Sequence, residues 1–317
     1  MAITNIPAVD LSKFVNGTKE QREEFINELG KAWEEVGFVT VKNHGVPDEY
    51  INAFYTQVKR FFEFPTEVKL KYEDPENAGQ RGYTSFGREH AKGFDAPDLK
   101  EFWQMGQVVS DGDQIAEEYP ENIRVDLLPD FEEIGRKLYT AFEQSGAHLL
   151  RAIALYLGLE ENYFSPKIHN GNSILRAIHY PPIVGEPKSS IRAEQHEDIN
   201  LITLLAGASA EGLQVKDKDG NWVSVNAPEG HLVINVGDML QRLTNNVLRS
   251  TTHRVVNPPR ELWHTSRYSI PFFLHPRSNM DLSCLESCVS DENPIQYDAI
   301  TSGEYLHERL REIGLKK

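Results

Sequence analysis

A change of periodicity near residue 172 limits the fold more than any other feature of this chain. Upstream, apolar residues recur at helical spacing. Downstream, short β-prone runs follow one another with turn residues between them. The runs are 173–179, 196–205, 212–216, 222–225, 231–236, 252–256 and 266–274, and Asp219-Gly220 is a hairpin signal between two of them. Seven such runs predict a barrel or a double-sheet jelly roll. The expected class is therefore mainly β with flanking helices, a jelly-roll core behind an N-terminal helical region.

The front of the chain carries its own signals. Ile3 to Val9 reads as a strand. Thr18 with Gln21 forms a capping box for a helix bearing Phe25, Leu29, Ala32 and Val36, and Gly37 stops it. Phe38 to Val41 reads as a buried strand. Asp48 then caps a helix with Ile51, Phe54, Val58 and Phe61 on one face, ending before Pro65. Residues 73–113 are rich in Gly, Pro and Asp and read as one long irregular segment. Pro129, Asp130 and Glu133 open a long helix that Gly158 closes. Ser302 caps a last helix over 302–313, with Tyr305, Leu306, Leu310 and Ile313 inward. Three regions are expected: 1–110 helical with the irregular segment packing on the core, 111–290 the β core with its supporting helix, and 291–317 the C-terminal helix.

Charge and composition exclude some functions. Thirty-three Lys and Arg against 48 Asp and Glu give a formal net charge of −15, the wrong sign for nucleic acid and a poor one for an anionic membrane surface. No apolar run approaches the ~18 residues of a membrane span, and no secretory signal opens the chain. Cys284 and Cys288 are the two cysteines, too few for a disulfide framework, which fits a reducing compartment and a cytoplasmic location.

The chemistry centres on His196-Glu197-Asp198. On a strand, His196 and Asp198 share a face and Glu197 points away. A second histidine from a neighbouring strand would complete a two-His, one-carboxylate face, the ligand set of non-haem Fe(II) oxygenases. The tripeptide alone carries little: 11 His and 48 acidic residues produce about 1.7 His-x-acid matches by chance. His90, His148, His169 and His307 read as ordinary surface or core residues. The company of the tripeptide lends it weight. His253 stands 55 positions beyond Asp198, and Arg267 and Ser269 follow on one face of a strong strand, a fork suited to a carboxylate.

With these residues the sequence resembles the Fe(II)/2-oxoglutarate-dependent dioxygenases, in the branch containing isopenicillin N synthase. The resemblance runs over nearly the whole chain. It includes Gly37-Phe38-Val39-Thr40-Val41-Lys42-Asn43-His44-Gly45-Val46-Pro47, Tyr180-Pro181-Pro182, His196-Glu197-Asp198, Gly212-Leu213-Gln214-Val215, Asn235-Val236-Gly237-Asp238, His253-Arg254-Val255 and Arg267-Tyr268-Ser269. It implies a double-stranded β-helix core. It makes His196, Asp198 and His253 the iron ligands, and Arg267 and Ser269, with Tyr180, the holders of the distal carboxylate of 2-oxoglutarate. It also implies oxidation by O2, usually hydroxylation, of a small organic molecule, with release of succinate and CO2. Three features depart from the family pattern: Ile178 replaces a customary Asn, Glu197 a customary Thr, and Asn245-Asn246 a customary Asn-Gly turn. Two alternatives accompany the resemblance. One is an oxidase like isopenicillin N synthase or aminocyclopropane oxidase that uses no 2-oxoglutarate. The other is a non-catalytic metal- or small-molecule-binding jelly roll.

Four residues are candidates for the primary substrate. Arg176 alternates with Ile178 and Tyr180, so it faces inward if Tyr180 does. It should meet a carboxylate of the substrate or co-substrate, or else an internal acidic partner. Phe273 shares a face with Arg267 and Ser269. Tyr83 and Phe102 fall in segment 79–106, the candidate substrate lid, together with Arg81, Phe86, Arg88, Lys100 and Trp103.

Overall fold

Alternation along the strands sorts the chain into two faces, and those faces build the molecule. The computed structural model describes residues 6–75, 77, 79–89, 93, 96–207 and 212–312; Ile3, His90 and Ile313 lie outside them. The elements run β1 (Ala8–Asp10), α1 (Leu11–Asn16), α2 (Lys19–Glu35), β2 (Phe38–Lys42), α3 (Asp48–Phe62), α4 (Thr66–Lys69), β3 (Gly82–Thr84), β4 (Glu101–Gly106) and α5 (Phe131–Tyr156). There follow α6 (Ser165–Ile168), β5 (Ile174–Tyr180), β6 (Ala193–His196), β7 (Ile202–Ala206), β8 (Leu213–Lys216), β9 (Trp222–Ser224) and β10 (Leu232–Val236). The chain ends with α7 (Asp238–Leu243), β11 (His253–Val255), β12 (Arg267–Leu274) and α8 (Ser302–Glu312).

Eight strands form one sheet in the order β1-β2-β10-β7-β12-β5-β4-β3, and four form another in the order β6-β11-β8-β9. One face of the larger sheet is covered by helices. Leu175, Ala177, Ile202, Leu204, Ile270 and Phe272 point there, into the main core with α2, α3 and α5. Phe272 meets Tyr139 of α5 edge-on, ring centroids 4.9 Å apart. The other face turns toward the smaller sheet. Phe38 and Val233 pack there against Val215, while Phe102, Ile178 and Tyr180 pack against Ala193 and Val255. This is a jelly roll with a helical coat, as the strand pattern predicts.

Some single-turn signals hold. Thr18 and Gln21 form the expected capping box, and Gly37 has φ +75° after α2. Asn245 and Asn246 both take positive φ, 49° and 68°, so the Asn-Asn turn survives without glycine.

Other expectations need correction. Pro47, not Asp48, precedes α3, and Asp48 instead supplies negative charge to its first turn. Asp130 makes no side-chain cap, and Glu133 pairs with Lys137 one turn on. Thr301, not Ser302, closes a capping box with Glu304, because the Thr301 hydroxyl accepts from the Glu304 N–H and Glu304 accepts from the Thr301 N–H. The run 196–205 is two strands, β6 and β7, with a bend between them. The segment 73–113 is not wholly irregular. It holds β3 and β4, and every residue of β4 is buried. β4 pairs along β5 from Glu101↔His179 to Gly106↔Ile174, so the front third of the chain supplies four strands of the main sheet.

Candidate active site

The bend after β6 creates the site. His196 is the last residue of β6, and its Cα pairs across the smaller sheet with that of His253 on β11. Their rings lie 4.4 Å apart between centroids. Beyond His196 the strand ends, and the chain turns back so that Asp198 points at both imidazoles. The Asp198 carbonyl accepts from the Asp238 N–H at 2.9 Å, and the Asn200 amide donates to the Thr203 hydroxyl at 2.8 Å, which fixes the bend. Asp198 Oδ1 then stands 3.8 Å from His196 Nε2 and 3.7 Å from His253 Nε2. One ligand atom from each residue lies within 4.8 Å of the others. The bend, not strand alternation, brings His196 and Asp198 together.

The three groups are held from behind. His196 Nδ1–H donates to the Glu194 carbonyl at 2.6 Å, and His253 Nδ1–H donates to the Thr251 carbonyl at 3.1 Å. Each ring therefore turns its Nε2 toward the gap. Asp198 Oδ2 accepts from Thr203 at 2.6 Å and from Asn235 at 2.8 Å, leaving Oδ1 to face the histidines. Burial, then His253, pushes the His196 imidazole down to about 4, so it is neutral at pH 7. Burial alone would raise Asp198, but His253, His196 and the two hydrogen bonds bring it below the usual carboxylate range. Two imidazoles and one carboxylate fit a divalent transition metal. A second cluster joins exposed Asp111 and His169 to half-buried Asp113, which is already bound to Arg277.

The triad opens onto a cavity of about 470 Å3 lined by Gln104, Asn172, Arg176, Phe273 and His275, among others. Arg176 and Phe273 face inward as alternation predicts. The Arg176 guanidinium carbon sits 4.3 Å from the Phe102 ring centroid and 5.1 Å from that of Phe273. Its Nε donates to Gln104 at 2.8 Å, and its Nη1 reaches Glu89 at 3.5 Å. Glu89 also binds Lys100 at 2.9 Å, and Lys100 binds Asp98 at 2.8 Å. The internal acidic partner thus exists, and it is shared. Glu89 and Gln104 are pocket residues that sequence reading missed. Gln104 could have been found by extending β4, where it stands directly opposite Arg176. Leu306, Arg309 and Leu310 of α8 close one side, and the Tyr305 hydroxyl donates to Asp238 at 3.0 Å.

Arg267, Ser269 and Tyr180 gather elsewhere along the same inner face. Arg267 pairs with Tyr180 and Ser269 with Ile178 across β12 and β5, and the Arg267 guanidinium carbon lies 4.8 Å from the Tyr180 ring centroid. Arg267 is 1% exposed and Ser269 3%, so this corner is shielded from bulk water.

Segment 79–106 borders the cavity through Gln80, Glu89, Asp98, Lys100 and Gln104. Tyr83 does not. It lies on the helix-facing side of β3, where it donates to Glu101 and packs on Phe61. Alternation explains the split: Phe102 and Gln104 face in, while Glu101 and Trp103 face out.

The chain is similar to known proteins over nearly its whole length. Residues 6–130 match the family described as the N-terminal region of the non-haem dioxygenase in morphine synthesis, and residues 171–276 match the 2OG-Fe(II) oxygenase superfamily. A proline hydroxylase of Petromyces alliaceus is 33% identical over 321 residues, covering 96% of this chain and 98% of that protein. A crystal structure of a 2OG-Fe(II) oxygenase family protein from Caulobacter crescentus superposes with a TM-score of 0.88 at 44% identity, covering 99% of this chain and all of that one. A Neurospora crassa protein, crystallised at full length in complex with alpha-KG and thymine, superposes with a TM-score of 0.84 at 30% identity over 96% of each chain. Among the described residues no helix is long and apolar enough to cross a membrane.

Proposed function

Since the chain belongs to the 2OG-Fe(II) oxygenase superfamily, we propose that His196, Asp198 and His253 hold its iron and that Arg267, Ser269 and Tyr180 hold the distal carboxylate of 2-oxoglutarate. The enzyme is an Fe(II)- and 2-oxoglutarate-dependent dioxygenase of small molecules. Bound iron supplies the oxidation, in which O2 and 2-oxoglutarate are consumed and succinate and CO2 leave.

One observation carries the ligand assignment: three donor atoms, each fixed by a hydrogen bond at its other end, converge within 4.8 Å of one another on the cavity wall. The protein's part is positioning and shielding. Thr203 and Asn235 hold one oxygen of Asp198, so the other stays aimed at the metal position. The buried guanidinium of Arg267 and the hydroxyl of Ser269 form a fork for a carboxylate, and Tyr180 walls it.

The primary substrate meets Arg176 through a carboxylate, with Phe273 and Phe102 flanking the guanidinium. This reading is supported by the long reach from Arg176 to Glu89, 3.5 Å, and by the prior claim of Lys100 on that carboxylate. A screen of small carboxylic acids for stimulated succinate release identifies the substrate. Replacing Arg176 with Leu should then raise the KM for that acid by about tenfold or more and leave 2-oxoglutarate binding alone. An unchanged KM overturns the substrate role. For the metal and co-substrate, anaerobic mixing of protein, Fe(II) and 2-oxoglutarate should give a visible charge-transfer band, lost when Asp198 is replaced by Ala. A band that survives that replacement overturns the ligand set.

A further inference from the structure

Arg192 lies four positions before His196, just ahead of β6, and is 1% exposed. Its guanidinium carbon is 6.0 Å from the Tyr180 ring centroid, on which Arg267 also bears. Nη2 donates to the Thr265 carbonyl at 3.1 Å, while Nε has no acceptor among the described residues. No carboxylate of the described residues acts on it; the charged neighbour that does is Arg267. The contrast with nearby cations is informative. Lys100 has Glu89 and Asp98, and Lys69 has Glu101. Burial, then Arg267, pulls the Arg192 guanidinium down to about 10, which still leaves it charged at neutral pH.

A buried cation without a counter-charge is costly to the protein alone, and the cost vanishes when an anion enters. We propose that Arg192 is a second carboxylate-binding cation of the co-substrate site, sharing with Arg267 the distal carboxylate of 2-oxoglutarate. The inference rests on the role proposed for Arg267. Its consequence is specificity. Two guanidiniums around one corner favour a keto acid with two carboxylates over one of the same length with a single carboxylate.

The test is calorimetric binding to the Fe(II)-loaded protein without oxygen, comparing 2-oxoglutarate with 2-oxovalerate, which lacks the distal carboxylate. In Arg192→Met, affinity for 2-oxoglutarate should fall about tenfold or more while that for 2-oxovalerate stays as in the wild type. Arg192→Lys, which keeps the charge and loses the fork, should lie between. A structural role would weaken both acids alike, and that result overturns the proposal. So does unchanged 2-oxoglutarate binding in Arg192→Met while Arg267→Met loses it, an outcome that leaves the Arg267 reading intact. If the Met variant does not fold, a Lys variant that binds both acids as the wild type does overturns the proposal as well. A wild-type protein that prefers neither acid overturns the Arg267 reading together with this one.

Discussion

The hydroxyl of Thr203 donates a 2.6 Å hydrogen bond to Oδ2 of Asp198, and so it decides which carboxylate oxygen faces the two histidines. Thr203 enters from β7, a different strand from the one that ends at His196, so the orientation of the acid depends on the register of the larger sheet. Thr203→Val keeps the shape and removes the donor. Metal affinity should fall about 10- to 100-fold, and the metal-free protein should lose ~1–3 kcal/mol because the buried Asn200 amide loses its acceptor. Titration with Co(II), followed by visible absorption, checks it. Equal affinity in variant and wild type would mean that Asn235 alone suffices to orient Asp198.

A buried network supports β4 from the helix side. Glu101 accepts from both Lys69, at 2.8 Å, and His179 Nδ1–H, at 2.8 Å, and from the Tyr83 hydroxyl. All four side chains are buried. Glu101→Ala leaves the Lys69 ammonium without its anion and should cost ~3–5 kcal/mol in urea unfolding. The pair Lys69→Met with Glu101→Leu should recover much of that, since an apolar pair replaces two desolvated charges. A Glu101→Ala loss under ~1 kcal/mol would show that Lys69 finds water instead.

His275 should make the metal-free protein acid-sensitive. Burial holds its imidazole at about 4 in the folded chain, below the ordinary value of 6.5. The unfolded chain therefore takes up the proton first. The contribution is fully present above pH 6.5, fades as pH falls toward about 4, and is gone below that. The total is on the order of 2–4 kcal/mol. His196 contributes in the same direction, so the comparison must be with His275→Gln. Urea midpoints measured from pH 7 to pH 4.5 should fall less in the variant. Parallel curves would mean that His275 is protonated in the folded state.

What was legible in the sequence was what neighbours in the chain decide. Thr18 and Gln21 meet within one turn, and Arg176 and Tyr180 share a face because a strand alternates. β4 was hidden because its hydrogen-bonding partner, β5, begins nearly seventy residues later. Gly and Pro around it gave the segment the look of a loop. The same non-locality hid Glu89, which reaches Arg176 across 87 positions. Asp198 stands beside both histidines for a reason other than strand alternation. The bend that aims it depends on Asn200, Thr203 and the backbone of Asp238, none of which a strand pattern registers.

The two asparagines of the turn before β11 should respond unequally to glycine, although both have positive φ, 49° for Asn245 and 68° for Asn246. The Asn246 side chain is exposed and accepts from the Tyr297 hydroxyl. Glycine there relieves the strain of positive φ and gives up one exposed bond, so stability should change by less than ~0.5 kcal/mol. Asn245 is fully buried. Its amide donates to the Asn293 and Pro294 carbonyls at 3.1 Å each, and its Oδ1 accepts from the Gln296 N–H at 2.9 Å. These bonds tie the segment after Cys288 to the base of α7. Asn245→Gly removes three hydrogen bonds to the partly buried Asn293, Pro294 and Gln296 backbone, and at ~1 kcal/mol for each the loss should be ~2–3 kcal/mol. Thermal unfolding of the two single variants decides it. If both lose the same amount, backbone conformation rather than the Asn245 side chain holds the turn.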